Sequence, residues 1–334
     1  MVSILKKVKN RIHYYWKFYK SYKVQKLKFR DSSIKFFNYG YSGKKIQDYW
    51  FYRFITHHNL NSQNKVINVI SVFGEKKIVY LLKGIKIFIC GENLTPMVSA
   101  YPKYLNYADH YGNKVDLALG FNDENNMPAN YMRHPLWLHY FIPPESTLES
   151  LKKLIDEYNS LGNRKTINRN GFAVHISRHD RNGIREEIIE AMNGIDTVCC
   201  AGTFMNNSSE LKEKYKDDKV EFLKKFKFNI CPENSNTEGY VTEKLFHAIM
   251  SGCIPVYWGS NNLPEPNLIN PNAVLFYERD NKEKLIKRVK ELMESKTAYE
   301  DFLKIPPFQE HAAEIIWEQL SKLRIRMEEI IEKK

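Results

Sequence analysis

Long apolar runs are missing from this 334-residue chain. No stretch approaches the roughly 18 uncharged apolar residues of a membrane-spanning helix. The charged, then apolar, then small-residue opening of a signal peptide is missing too, so the chain is expected to fold in the compartment where it is made. Cysteine is scarce: Cys90, Cys199, Cys200, Cys231 and Cys253 are five, an odd number, with no C-x-x-C spacing. Each lies in or beside an apolar run, which reads as small buried hydrophobes in a reducing compartment and not as a disulfide framework. H-E-x-x-H and D-x-D are both absent, and His175 and His179 fall on a strand end and the loop after it. No protein-bound metal is expected.

What is present is ordinary globular composition, 43% hydrophobic and 27% charged. That excludes wholesale disorder and collagen-like repeats, and the length exceeds a typical single core, so two domains are expected. The net charge of +12 is unevenly placed. Residues 1–30 hold ten basic side chains and no acidic one; taking ten from 51 leaves 41 against 39 in the other 304 residues. The body is nearly neutral, and the excess belongs to an arm.

In that arm Leu5, Val8, Ile12, Tyr15, Trp16, Tyr19 and Tyr22 recur mostly at steps of three and four, giving a basic amphipathic helix. Such a helix suits an anionic membrane surface, where each basic residue contributes ~1 kcal/mol. It could also grip nucleic-acid phosphates, and the plainest reading packs its aromatic stripe on the body. Beyond it, Ile34–Phe37, Val66–Val72, Ile78–Leu82, Ile85–Cys90 and Val115–Leu119 read as strands, followed by a helical stretch from Thr147 and a polar linker from Gly162 to Gly171. The second half alternates strand and helix: Phe172–Ser177, Ile184–Met192, Thr197–Ala201, Phe226–Cys231, Val241–Met250, Cys253–Trp258, Val274–Tyr277 and Glu283–Met293. This is the rhythm of an α/β, doubly wound, mostly parallel sheet, with ligands at the strands' carboxyl ends. A long amphipathic helix (Ala312, Ile315, Ile316, Leu320, Leu323, Met327, Ile330, Ile331) closes the chain.

The densest chemistry lies between Phe226 and Gly259. A buried strand ends at Cys231, a loop of Glu, Asn, Ser, Thr and Gly follows, and a helix begins near Val241. Strand, polar loop and helix N-terminus make a natural diphosphate cradle. Glu243 suits the positive end of that helix, whereas Lys244 opposes it. A bound anion would remove the conflict, which makes Lys244 the best phosphate ligand on sequence grounds.

These residues resemble the signature of the α-1,3/1,4-fucosyltransferases, glycosyltransferase family 10, in their short bacterial form. The match runs through Phe226, Phe228, Cys231, Glu233, Asn234 and Ser235, then Tyr240, Val241, Thr242, Glu243 and Lys244, then Gly252 and Ile254–Gly259. Cys90-Gly91-Glu92-Asn93, Asp116–Phe121 and Tyr131–Leu136 look like further family segments in the family's order. Pro232 stands where an aromatic residue is common. The resemblance implies a GT-B enzyme, two Rossmann-like domains facing a cleft with the C-terminal helix crossing back to the first. The implied division is a basic arm over 1–30, an acceptor domain over 31–160, a nucleotide-sugar domain over 161–304 and the closing helix over 305–334.

It further implies GDP-fucose as donor, inversion at the anomeric carbon, no cofactor or metal, and Glu92 as general base. Arg185 and Lys244 would meet the diphosphate, with Arg178 and Arg181 competing for the arginine's place. Asn234, Tyr240 and Glu243 would contact fucose or ribose. The acceptor is expected to be an N-acetyllactosamine-like or lipid-linked glycan, met on the cytoplasmic side, with the arm offering peripheral contact at the inner face of a membrane. Two other readings stay open: a GT-B transferase with a different nucleotide sugar, and a basic-armed nucleic-acid-binding protein, against which the near-neutral body argues. Asn93-Leu-Thr95 and Asn207-Ser-Ser209 match glycosylation sequons by pattern only.

Overall fold

The computed structural model describes residues 2–40, 45–61, 65–96, 101–160 and 168–334. Two five-stranded sheets organise it. In the N-terminal lobe β1 (Ile34–Phe37), β2 (Ile67–Ile70), β3 (Ile85–Ile89), β4 (Leu117–Gly120) and β5 (Tyr131–Arg133) lie in sequence order. The C-terminal lobe holds β6 (Gly171–His175), β7 (Val198–Cys200), β8 (Phe226–Ile230), β9 (Ile254–Tyr257) and β10 (Leu275–Phe276), in the order β10-β9-β8-β6-β7. All pairings are parallel. Every residue of β2, β4 and β9 is buried. Covered on both faces, such strands read as unbroken apolar runs.

One expected strand is not one. Ile78–Leu82 lies largely in a 3-10 helix, Lys76–Leu81. β2 and β3 are adjacent and parallel, so the residues between them must cross back over the sheet instead of pairing within it. Helix Leu148–Asn159 starts where Thr147 and Ser150 form a reciprocal cap. Much of the expected linker, residues 162–167, lies outside the described residues.

Helix Ala312–Lys333 returns to the N-terminal lobe and packs along helix Leu148–Asn159. Ile316, Leu320, Leu323, Met327 and Ile331 join the core that holds Ile34, Ile67 and Ile85. Polar contacts pin the crossing: Lys65 Nζ donates to the Ile331 carbonyl at 2.6 Å, and Lys322 pairs with Glu124 at 2.6 Å. The lobes also share apolar packing. Phe246, on helix Glu243–Ser251, stacks on Trp137 with ring centres 4.4 Å apart and planes 9° from parallel.

The arm is helical over Val2–Lys28. Its body-facing row is not the expected stripe. Phe18 is buried, Tyr22 stacks on Phe37 at 6.2 Å, Tyr14 donates to Glu75 at 2.7 Å, and Gln25 accepts the Asn38 amide at 2.7 Å. The row Val8, Ile12, Trp16 and Tyr19 points outward, 49–65% exposed. Among the described residues, no helix is long and apolar enough to cross a membrane.

Candidate functional site

Each sheet delivers its central strand to one cleft. β3 ends at Ile89, and the chain turns through Gly91 to Glu92 with the Cys90 amide still held by the Leu119 carbonyl at 3.0 Å. β8 ends at Ile230, but its pairing continues: Cys231 N–H reaches the Val256 carbonyl at 2.9 Å and Glu233 N–H the Trp258 carbonyl at 2.8 Å. The cleft between them has a volume of about 1240 Å³, and Glu92, Arg185, Asn234, Tyr240, Glu243 and Lys244 all line it.

Glu92 is largely withdrawn from water. Burial pushes its carboxyl up to about 7; Lys244 opposes that shift, and Glu243 and Glu233 reinforce it. Next to it, the buried Asn93 amide donates across the cleft to Ser235 Oγ at 2.9 Å and Thr237 Oγ1 at 2.8 Å. Asn93 is thus an interlobe clamp, a role that its sequon pattern did not suggest.

On the opposite wall Glu233 organises the start of helix Glu243–Ser251. It is fully buried. Its Oε1 accepts the Thr242 amide at 2.7 Å, while Oε2 accepts the Thr242 hydroxyl at 2.7 Å and Lys244 Nζ at 3.0 Å. The conflict between Lys244 and the helix N-terminus is therefore met inside the protein by a carboxylate. Lys244 Nζ also donates to Thr242 Oγ1 at 2.7 Å and lies 3.6 Å from Glu243. Burial works against its charge, yet Glu233 and Glu243 hold its pKa above the ordinary lysine value. Burial works against the Glu243 carboxylate, but Lys244, Lys219, His247 and a backbone hydrogen bond together hold it down to about 2.

Gly259 shows why this packing needs its motif. At φ +140° a side chain is strained, and a Cβ there would stand 2.8 Å from the Glu233 Cβ.

Arg185 enters from helix Ile184–Asn193, whose first turn is set by Asp180 accepting the Arg185 amide at 2.8 Å. Its Nη2 donates to Asn234 Oδ1 at 2.6 Å and its Nη1 to the His179 carbonyl. Burial lowers its pKa below the usual guanidinium value. Arg178 also lines the cleft, whereas Arg181 sits 5.0 Å over the ring of Tyr101. Tyr101 in turn shares a 2.8 Å hydrogen bond with His179, another contact between the lobes. Tyr240 is buried with its ring 4.9 Å from Phe121, and Asn234 Nδ2 donates to its hydroxyl at 3.4 Å. His175, lowered to about 4 mainly by burial, links Ile230 and Ser177 through its two ring nitrogens.

Sequence reasoning thus identified six residues that share one cleft. It assigned no role to Glu233, although that residue stood in the quoted motif. An acid following a buried strand by two positions was the available signal.

The family model described as glycosyltransferase family 10 (fucosyltransferase) C-term matches residues 165–322, and that for the alpha-(1,3)-fucosyltransferase FucT N-terminal domain matches residues 34–140. Alpha-(1,3)-fucosyltransferase FucT of Helicobacter pylori is 29% identical over 275 residues, 75% of this chain and 53% of that protein. An alpha-(1,4)-fucosyltransferase of Arabidopsis thaliana is 35% identical over 78 residues, 23% of this chain and 19% of that protein. The chain spans about half the length, or less, of these curated relatives. A crystal structure of an alpha1,3-fucosyltransferase with GDP-fucose superposes with a TM-score of 0.57 at 23% identity, over 90% of each chain. The shared fold is GT-B, two parallel-sheet lobes about a cleft. With the two family models together matching most of its length, this chain belongs to glycosyltransferase family 10, the fucosyltransferases.

Proposed function

We propose that this protein transfers L-fucose from GDP-β-L-fucose, with inversion, to a hydroxyl of a GlcNAc-containing, N-acetyllactosamine-like glycan, forming an α-1,3 or α-1,4 linkage. The observation that carries this reading is the pairing of a carboxyl raised to about 7, Glu92, with the cations Lys244 and Arg185 lining the same cleft. The acceptor hydroxyl attacks the anomeric carbon as its proton passes to the Glu92 carboxylate. The bond from that carbon to the β-phosphate oxygen breaks, and GDP departs with the electron pair. Fixed cations then stabilise charge where it develops. Lys244 has three N–H donors, of which Glu233 and Thr242 take two. The third serves the diphosphate together with Arg185. Asn234, Tyr240 and Glu243 hold fucose or ribose.

In this reading residues 31–160 carry the acceptor, residues 161–304 the nucleotide sugar, and residues 305–334 brace the first unit. The arm makes peripheral contact with an anionic membrane on its cytoplasmic side. Its support is the outward row Val8, Ile12, Trp16 and Tyr19, set among lysines with no acidic neighbour in the helix.

The deciding measurement is GDP release from GDP-fucose, with and without N-acetyllactosamine, in metal-free buffer. Acceptor-stimulated release is expected. Tight GDP binding without release would move the reading to another sugar, and neither binding nor release would refute it.

A further inference from the structure

A second cavity, about 660 Å³, lies between the arm and the N-terminal lobe. Tyr14 and Ser21 of the arm form one side, and Lys77, Lys103 and Tyr107 of the body help form the other. It is not isolated from the catalytic cleft: Phe73, Lys103 and Tyr104 line both. The two spaces are one groove, running from Glu92 outward to the arm.

The charges along this groove are unequal. Lys76 is already neutralised by Asp109 at 2.6 Å, and the Glu75 carboxylate is engaged by the Tyr14 hydroxyl at 2.7 Å. Lys77 and Lys103 differ. Their ammonium groups lie over aromatic rings, Lys77 5.5 Å from both Tyr14 and Tyr15 and Lys103 4.7 Å from Tyr104. Among the described residues neither is paired with a carboxylate. Lys103 is close enough to the reaction centre to act electrostatically on Glu92. Beside Lys103 the half-exposed Phe73 meets Tyr104 edge to face at 5.6 Å, an apolar surface of the kind sugar rings cover.

We infer that this groove is an acceptor subsite for an anionic glycan, with a sugar ring over Phe73 and Tyr104 and a phosphate or carboxylate group between Lys103 and Lys77. The inference rests on the fucosyl-transfer reading and narrows its acceptor class. It also gives the arm a second use: the helix that meets the membrane forms one wall of the channel by which a membrane-borne acceptor reaches Glu92. Lipid-linked phosphate and acidic sugars are the two sources of such charge, and the test separates them.

The full-length enzyme is assayed with three acceptors at low and high salt. They are N-acetyllactosamine, the same disaccharide carrying a reducing-end diphosphate, and a uronic-acid-extended analogue. At low salt the KM for an anionic acceptor is expected to lie roughly three- to fivefold below that of the neutral one, the size of a screened surface ion pair. The gap should shrink as salt rises. Whichever anionic acceptor shows it names the source. Lys77→Ala should narrow the gap, and Glu75→Gln, which removes the groove's own negative charge, should widen it. Equal KM values in the wild-type protein, or a gap that neither variant moves, would overturn the inference. Calorimetric titration of the diphosphate-bearing and neutral disaccharides provides a readout without turnover. If no acceptor releases GDP, the fucosyl-transfer reading fails by itself, while charge-selective binding lost in Lys77→Ala would still uphold the groove.

Discussion

Glu92 faces opposite demands, since a base must be ionised and its surroundings favour the neutral acid. With its carboxyl raised to about 7, fucosyl transfer should climb with pH through about 7 and level off above. Glu92→Gln should abolish transfer while a GDP titration stays unchanged; matching losses of both would remove Glu92 from the role of base. The same shift has a sign for stability. Folding raises this pKa from an ordinary 4.5, so the native state loses stability as pH rises from about 4.5 to 7 and gains none back above. Glu92→Gln is therefore expected to melt higher than the wild-type protein at pH 8 and nearly level with it at pH 4.

Lys244 cannot be removed cleanly, because Glu233 would remain buried without its cation. Breaking a buried pair from one side costs about 3 kcal/mol or more. Lys244→Met and Glu233→Gln should each lower the urea midpoint, and the double variant should lose clearly less than the sum of the two. Strict additivity would mean that the 3.0 Å contact contributes nothing. GDP affinity of the double variant then reports the contribution of Lys244 to binding, free of the folding effect.

Among the helices, the arm was the most legible in period and the least in orientation. Tyr22 belonged to the expected stripe yet faces Phe37, while Phe18, outside that stripe, is buried. A helix with apolar residues around much of its circumference does not announce which row the body will take. The orientation sets the experiment. Deleting the arm would expose the core around Phe18, so Ile12→Ser with Trp16→Ser is the better probe. Sedimentation with anionic vesicles should fall several-fold while transfer to a soluble acceptor persists; unchanged sedimentation would end the membrane claim.

The parallel strands were readable because burial on both faces writes an unbroken apolar run. Ile78–Leu82 carried the same composition and became a crossover, since only the pairing of β2 with β3 decides that. The site was legible where one motif spans strand, loop and helix. Asn93, Tyr101 and His179 act through contacts between lobes, and nothing in local sequence records a partner 78 or 142 residues away.

Across the molecule, Asn93 is the cheapest way to loosen the two lobes. Asn93→Ala leaves Ser235 and Thr237 without their common donor. It is expected to raise the KM for acceptor several-fold with a smaller change in Tm, and kinetics with both substrates varied would check this. An unchanged KM would show that the lobes hold their spacing without it.

That spacing has another anchor. Phe246 and Trp137 stack at 4.4 Å, two positions along the chain from Lys244. The chain itself passes between the lobes twice, once between 160 and 171 and once between 303 and 312. Lys244 rides on the same helix as this stack, so the cation is fastened to the joint between the lobes as well as to Glu233.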